Sequence, residues 1–278
     1  MRKLFDKYSY EASKKVTKSY STSFYAGVRF LDKRIRDDVH AIYGFVRFAD
    51  EIVDTFHEQN KSELLEEFKN DTYKAIERGI SMNPILNSFQ ATVRKYNIDH
   101  QLIDQFLHSM EMDLNPLDYD DSKYKEYILG SAEVVGLMCL KIFVFGDQAE
   151  YDRLTPFAMK LGSAFQKINF LRDLKADLDE LGRLYFPNIG PEGITLEDKL
   201  AIEEEIEKEF EEAYKGIIQL PKSARFGVYV SYSYYTRLLA KIKRKTINDL
   251  MSERIRVADQ TKMFIFFKSY VKNSFNLL

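Results

Sequence analysis

Apolar residues recur at three- and four-residue intervals along nearly the whole chain, the spacing of helices that each bury one face. The pattern predicts helices over about 4–20, 35–56, 61–78, 83–96, 99–112, 122–146, 149–180, 197–217, 221–245 and 260–275. Breaks fall where turn chemistry gathers: Asn83-Pro84, Asn115-Pro116 and the stretch FPNIGPEG at 186–193. With 12 Gly and 6 Pro in 278 residues, the chain lacks the tight turns of an all-β protein. No low-complexity linker or shift of composition divides it. One all-α domain over 1–278 is expected, with 45% hydrophobic residues to fill its core.

Two of these helices carry a polar stripe beside the apolar one. On 41–56, Ile42, Phe45, Val46, Ala49, Ile52, Val53 and Phe56 form a broad packing face. Tyr43, Arg47, Asp50 and Asp54 follow at i, i+4, i+7 and i+11, which aligns a phenol, a guanidinium and two carboxylates. In LGSAFQKINFLRDLKAD, the residues Gln166, Asn169, Asp173 and Asp177 repeat the arrangement beside Leu161, Phe165, Ile168, Leu171 and Leu178. Either Asp-x-x-x-Asp alone reads as the wet side of a helix. Two copies, each with an ordered polar stripe upstream, point instead to helices opposed across a cavity. Four carboxylates converging there would repel one another and lose solvation, so cations must balance them. All-oxygen ligands suit Mg²⁺, with Mn²⁺ as the alternative, and Mg²⁺ characteristically bridges carboxylates to substrate phosphates. A diphosphate ester is the implied ligand, with Arg47 and Arg172 as charge partners for its oxygens.

The ordered blocks VTKSYSTSFYAG, AIYGFVRFADEIVD, LGSAFQKINFLRDLKAD and GRLYFP resemble squalene and phytoene synthases, bacterial phytoene synthases above all, and the likeness spans nearly the whole chain. The resemblance implies the all-α isoprenoid synthase bundle, with Mg²⁺ between two Asp-rich helices. It implies head-to-head joining of two geranylgeranyl diphosphates through prephytoene diphosphate to phytoene, by ionisation to carbocations. Asp50, Asp54, Asn169, Asp173 and Asp177 match the family's metal and diphosphate ligands, while Glu51 replaces a frequent Asp and is left out. Tyr20, Ser21, Thr22 and Ser23 match a diphosphate-binding segment in which relatives often carry His at the place of Tyr20. Tyr43, Arg47, Gln166 and Arg172 match substrate contacts. Tyr235 and Arg254 fall where C-terminal contacts are expected, with Tyr232 and Tyr234 close enough to compete for the first place. By itself SYSTS also reads as a helix break or cap.

Two alternatives stay open. A C15 enzyme would make squalene, hydroxysqualene or dehydrosqualene; the reductive route needs NADPH, and no GxGxxG fingerprint is present. A non-catalytic relative would tend to lose the acidic pairs, yet all four aspartates are here. Head-to-tail elongation or cyclisation usually shows D-D-x-x-D, which neither pair matches.

Charge narrows the rest. Lys and Arg number 41 against 43 Asp and Glu, a net charge of −2 that argues against nucleic acid as a partner. Cys139, the single cysteine, precludes an internal disulfide, fits a reducing compartment and reads as a small core side chain. The N-terminal MRKLFDKYSY lacks the apolar run of a signal peptide, and Lys141 interrupts the best candidate span. A cytoplasmic location is expected, compatible with peripheral contact with the membrane. The basic KIKRK at 241–245 reads as a solvated helix end or as an anchor to anionic lipid. The charged 203–212 segment reads as a solvated face, and the four histidines (His40, His57, His100, His108) as surface or partly buried groups.

Overall fold

The computed structural model describes residues 1–114, 120–179, 181–187, 189, 193–252, 254–257, 265 and 269. Among these, helices follow in the order α1 (Arg2–Tyr20), α2 (Thr22–Val28), α3 (Lys33–Thr55), α4 (Lys61–Arg78), α5 (Pro84–Tyr96) and α6 (His100–Leu114). Then come α7 (Asp121–Ile128), a π turn (Leu129–Glu133), α8 (Val134–Phe143), α9 (Gln148–Asp179), α10 (Leu196–Ile217), α11 (Lys222–Ile242) and α12 (Ile247–Leu250). No strand occurs among the described residues, as the helical periodicity predicts. The expected 122–146 helix is α7, the π turn and α8 run end to end, and the short α2 and α12 were not anticipated. The break expected at Asn115-Pro116 and nearly all of the expected 260–275 helix lie outside the described residues.

Local chemistry sets the ends. Asp32 caps α3 by accepting from the Arg34 amide at 2.9 Å, and Thr195 with Asp198 forms a capping box on α10. Pro84 opens α5 with Asn83 as its cap, and Gly79 closes α4 at φ +69°, a left-handed turn that favours glycine.

Helix α3 is central, packed by α1, α4, α5, α6 and α8. Its apolar face is locked by a ring cluster: fully buried Phe45 stacks on Phe89 at 3.8 Å and also meets Phe68 and Phe106. Within the expected apolar face only Phe56 departs, half-exposed where the helix ends. Helix α9 is held by α8, the π turn, α10 and α11, and its 32 residues span about 48 Å. A second core gathers around its C-terminal half, with α7, α10 and α11. The Asp-bearing stripes of α3 and α9 thus sit on two rigidly braced helices.

Two expectations need correction. In the charged 203–212 segment, Glu203 and Glu209 are buried against α9 and its surroundings, because Lys199 and Lys167 reach them; burial of each charge is offset by its partner. His40 is fully buried, bonded to Thr17 at 3.0 Å and stacked on Tyr25, and burial above all pushes it down to about 4. The basic cluster is a solvated helix end as expected: Lys241, Lys243 and Arg244 are exposed, with Lys241 donating to the Arg256 carbonyl and Lys243 to Glu207.

The π turn is pinned by close helix contacts. A Cβ on Gly130 would lie 2.5 Å from the Gln105 carbonyl oxygen of α6 and 2.7 Å from the Ser109 Cβ. Gly130→Ala is therefore expected to lower the unfolding free energy by about 1–3 kcal/mol. Urea denaturation checks this, and an unchanged midpoint would contradict it.

Candidate active site

Between α3 and α9 lies a cavity of about 860 Å³. Its α9 wall runs from Leu154 to Arg172, roughly 27 Å of helix. Most of the depth is apolar: Val39 and Ile42 of α3, Leu140 and Phe143 of α8, Leu154 and Leu161 of α9. Polar groups collect at the other end, where Tyr20, Ser21, Thr22, Ser23, Tyr43, Gln166, Asn169, Arg172, Tyr235 and Arg254 all line it. That end is open, since Tyr20 and the Arg254 side chain are each about half exposed. Cys139 is half-buried in the apolar wall rather than closed in the core, and burial pushes its thiol up to about 12.

The break at Ser21 is a helix cap, and it also places residues 20–23 on the cavity wall. The Ser21 hydroxyl caps α2 by accepting from the Phe24 amide at 3.3 Å. Phe24 stacks on Tyr43 at 4.9 Å, and Tyr20 lies over the Arg47 guanidinium at 4.5 Å. Tyr235 stacks on Phe165 at 3.9 Å and donates to Asn169 at 3.2 Å. Tyr234 lines the cavity as well, while Tyr232 packs with Phe210 and Tyr214 of α10.

Asp50, Asp54, Asp173 and Asp177 do not line the cavity wall; they sit on the turns beyond Tyr43 and Asn169, at its open end. Their negative charge is met by arginines. Arg47 pairs with both Asp50 and Glu51. Arg172 pairs with its neighbour Asp173, which Arg254 also reaches at 2.7 Å. Arg183 donates to Asp54 at 2.7 Å. Among the described residues, no three His, Cys, Asp or Glu side chains converge closely enough to hold a metal ion as they stand; guanidinium groups stand between the carboxylates instead.

The balance is incomplete. Burial, then the neighbouring Asp54 charge, raises the Asp50 carboxyl against the pull of Arg47. About 35% of the Asp50 side chain remains exposed, on the side of the opening. Asp177 is pushed up to about 7 by burial, then by Asp173 and Asp54 across the gap. The two pairs therefore sense each other. Arg47 also keeps a buried Nε with no hydrogen-bond partner. Tyr43 is pushed up to about 12 by burial above all, so it is held as a neutral phenol. An all-oxygen set of carboxylates plus the Asn169 amide, carrying unbalanced negative charge, fits a hard divalent cation.

Two residues of this network escaped the sequence reading. Asp113 at the end of α6 is buried, accepts from Tyr127 at 2.7 Å and Tyr185 at 3.2 Å, and stands 3.5 Å from Arg183. Arg183 also donates to the Asp113 backbone carbonyl at 3.0 Å. Asp113 thus anchors the guanidinium that meets Asp54. The GRLYFP block holds both Arg183 and Tyr185 and was the available signal; Asp113 shares α6 with Asp104 and Glu111 in no ordered polar stripe, and nothing in the pattern marks it.

A family model for squalene/phytoene synthase matches residues 17–198. The chain belongs to that family. Its members are head-to-head prenyltransferases. Phytoene synthase 1, chloroplastic, from Arabidopsis thaliana is 25% identical over 286 residues, covering 95% of this chain and 67% of that protein. Presqualene diphosphate synthase from Rhodopseudomonas palustris is 31% identical over 183 residues, 64% of this chain and 63% of the other. Among solved structures, a dehydrosqualene synthase in complex with ligand superposes with a TM-score of 0.83 at 20% identity, over 96% of this chain and 98% of that one. The squalene synthase HpnC from Alicyclobacillus acidocaldarius gives 0.74 at 20% identity, over 87% and 95%. These likenesses bear out the isoprenoid synthase fold. No helix among the described residues is long and apolar enough to cross a membrane.

Asp177 offers a test of the charge imbalance. Its folded value near 7 lies above the ordinary 3.8, so between the two the native state binds more protons than the unfolded chain. Stability then falls as pH rises through that window. Without divalent cations, Asp177→Asn is expected to melt above wild type at pH values over 7, the gap closing near pH 4. Equal melting temperatures across the range would contradict the assignment.

Proposed function

We propose that this chain joins two geranylgeranyl diphosphates head to head, through prephytoene diphosphate, to form phytoene. The observation that carries the proposal is the polarity of the cavity: an apolar pocket walled by about 27 Å of α9, opening beneath two opposed acidic pairs. Likeness to plant phytoene synthases across 95% of the chain supports the C20 substrate. For scale, half of a bilayer's hydrocarbon core is about 15 Å thick, so the wall has room for a long prenyl tail.

Asp50, Asp54, Asn169, Asp173 and Asp177 would hold Mg²⁺, with Mn²⁺ able to replace it. The bound ion supplies charge stabilisation to the departing diphosphate. Tyr20 to Ser23 offer hydroxyls and backbone groups to its oxygens. Arg47, Arg172 and Arg254 offer guanidinium groups already gathered at the opening. Releasing them from the aspartates is the local change such binding requires. Tyr43, a neutral phenol on the cavity wall, presents a ring face to developing positive charge and can pass a proton to the departing diphosphate's side. The wall of Val, Leu, Ile and Phe keeps water from carbocations, which would otherwise be captured as alcohols. Contact with a bilayer, the natural sink for so apolar a product, is part of the same proposal.

A C15 reaction is the second reading, favoured by the 31% identity to presqualene diphosphate synthase. Incubation of pure protein with C15 and with C20 diphosphates, followed by product analysis, separates the two. A C40 hydrocarbon from the C20 substrate is expected, and a C30 product alone would replace the first reading with the second. Asp50→Asn or Asp173→Asn should abolish product while helical content by circular dichroism stays unchanged; near-wild-type turnover by either variant would sink the metal-clamp assignment.

A further inference from the structure

Ser131 interrupts the apolar lining of the α8 side of the cavity, and it sits in the π turn. A π turn inserts one residue into a helix and re-aims the side chains around it. Here its backbone is clamped from two sides. Gly130 lies against α6, and a Cβ on Gly162 of α9 would stand 2.8 Å from the Ala132 carbonyl oxygen. With no space to shift, the turn delivers the Ser131 hydroxyl to a fixed place.

From that hydroxyl a line of side chains crosses the polar end of the cavity. Gln166 Nε2 donates to Ser131 Oγ at 3.3 Å. Asn169 Nδ2 donates to Gln166 Oε1 at 3.3 Å. Tyr235 Oη donates to Asn169 Oδ1 at 3.2 Å. All four line the cavity. The two amides are ordered head to tail: the Gln166 NH₂ meets Ser131, and its oxygen faces Asn169. That oxygen takes the Asn169 NH₂, which leaves the Asn169 oxygen on the side of Tyr235, one helical turn before Asp173. An amide oxygen has two lone pairs, so Asn169 keeps one for a cation after accepting from Tyr235.

We propose that Ser131 is a positioning residue: through Gln166 it fixes the place of the Asn169 amide one helical turn before Asp173, with a lone pair of the amide oxygen left to ligate. The inference rests on the head-to-head reaction proposed above, and it reaches a residue that neither stripe contains. Without the hydroxyl, the Gln166 amide loses its anchored end, and the Asn169 amide that leans on it loses its fixed place in consequence.

Two measurements test it. In steady-state kinetics on the prenyl diphosphate, Ser131→Ala is expected to lower kcat by about tenfold, equivalent to about 1.4 kcal/mol. KM should change less than about twofold, and Ser131→Thr, which keeps the hydroxyl, should restore kcat. The pair Ser131→Ala with Gln166→Ala should be no slower than Gln166→Ala alone, because both act through one path. Side-chain amide resonances of Gln166 and Asn169, assigned from their Ala variants, give a readout independent of turnover. Both NH₂ signals should move in Ser131→Ala and return in Ser131→Thr. Wild-type kcat in Ser131→Ala, fully multiplicative losses in the pair, or an unmoved Asn169 signal would each overturn the inference. A wild-type protein that forms no coupled product would overturn the reaction instead, and the amide signals would still decide the role of Ser131.

Discussion

Carboxylates brought together away from bulk water need positive charge nearby, and that requirement organises the open end of this cavity. Asp50 and Asp54 on α3 face Asp173 and Asp177 on α9 closely enough that the Asp54 charge raises Asp177. Arg47 and Arg183 pair with the α3 aspartates, and Arg172 and Arg254 with Asp173 of α9. The guanidinium groups offset the mutual repulsion and partial loss of hydration of the carboxylates, most fully at the less exposed Arg183 and Arg172. The same arginines suit phosphate oxygens as well as carboxylates. Under the proposed function, the carboxylates would hold the divalent cation and the arginines would turn to the diphosphate oxygens. On that reading the carboxylates and arginines are an exchangeable set of charges rather than a fixed lattice.

The rest of the fold holds that set in place. The ring cluster around Phe45 fixes α3, while α8, α10 and α11 brace α9. Between them the cavity grades from charged to hydroxyl-bearing to wholly apolar, the gradient a prenyl diphosphate itself carries from head to tail. Asp113 extends the order behind the acidic end. It is buried, taken up by two phenols and one guanidinium, and pushed up to about 6 by burial despite them. Its hold on Arg183 ties α6 to the Asp54 side of the site.

Much of this was legible in the sequence. Helices of strong period were recoverable because one face of each is buried, and both polar stripes were visible because a turn of 3.6 residues aligns them. All ten residues expected to contact substrate lie at the polar end: nine line the cavity itself, and Arg47 lies under the Tyr20 ring. What stayed hidden depends on contacts between segments far apart in the chain. Asp113 and Arg183 are 70 residues apart and meet only in the fold. The π turn leaves no mark in apolar spacing, so Ser131 could not be placed. Glu203 and Glu209 read as solvated because charge predicts exposure, and only the placement of Lys199 and Lys167 reverses that. The arginine pairing changed the carboxylate picture too, since periodicity aligns side chains without saying which cation meets them.

The central claim, that the two acidic pairs together form a divalent-cation clamp for a diphosphate, is tested most directly with Mn²⁺ as a spectroscopic probe. Free Mn²⁺ is followed by electron paramagnetic resonance as protein is added in the presence of inorganic pyrophosphate. The account predicts that wild-type protein removes the free-ion signal beyond what pyrophosphate alone removes, and that Asp54→Asn and Asp177→Asn, one from each helix, both leave most of it. A signal unaffected by the wild-type protein, or removed equally by both variants, would contradict it.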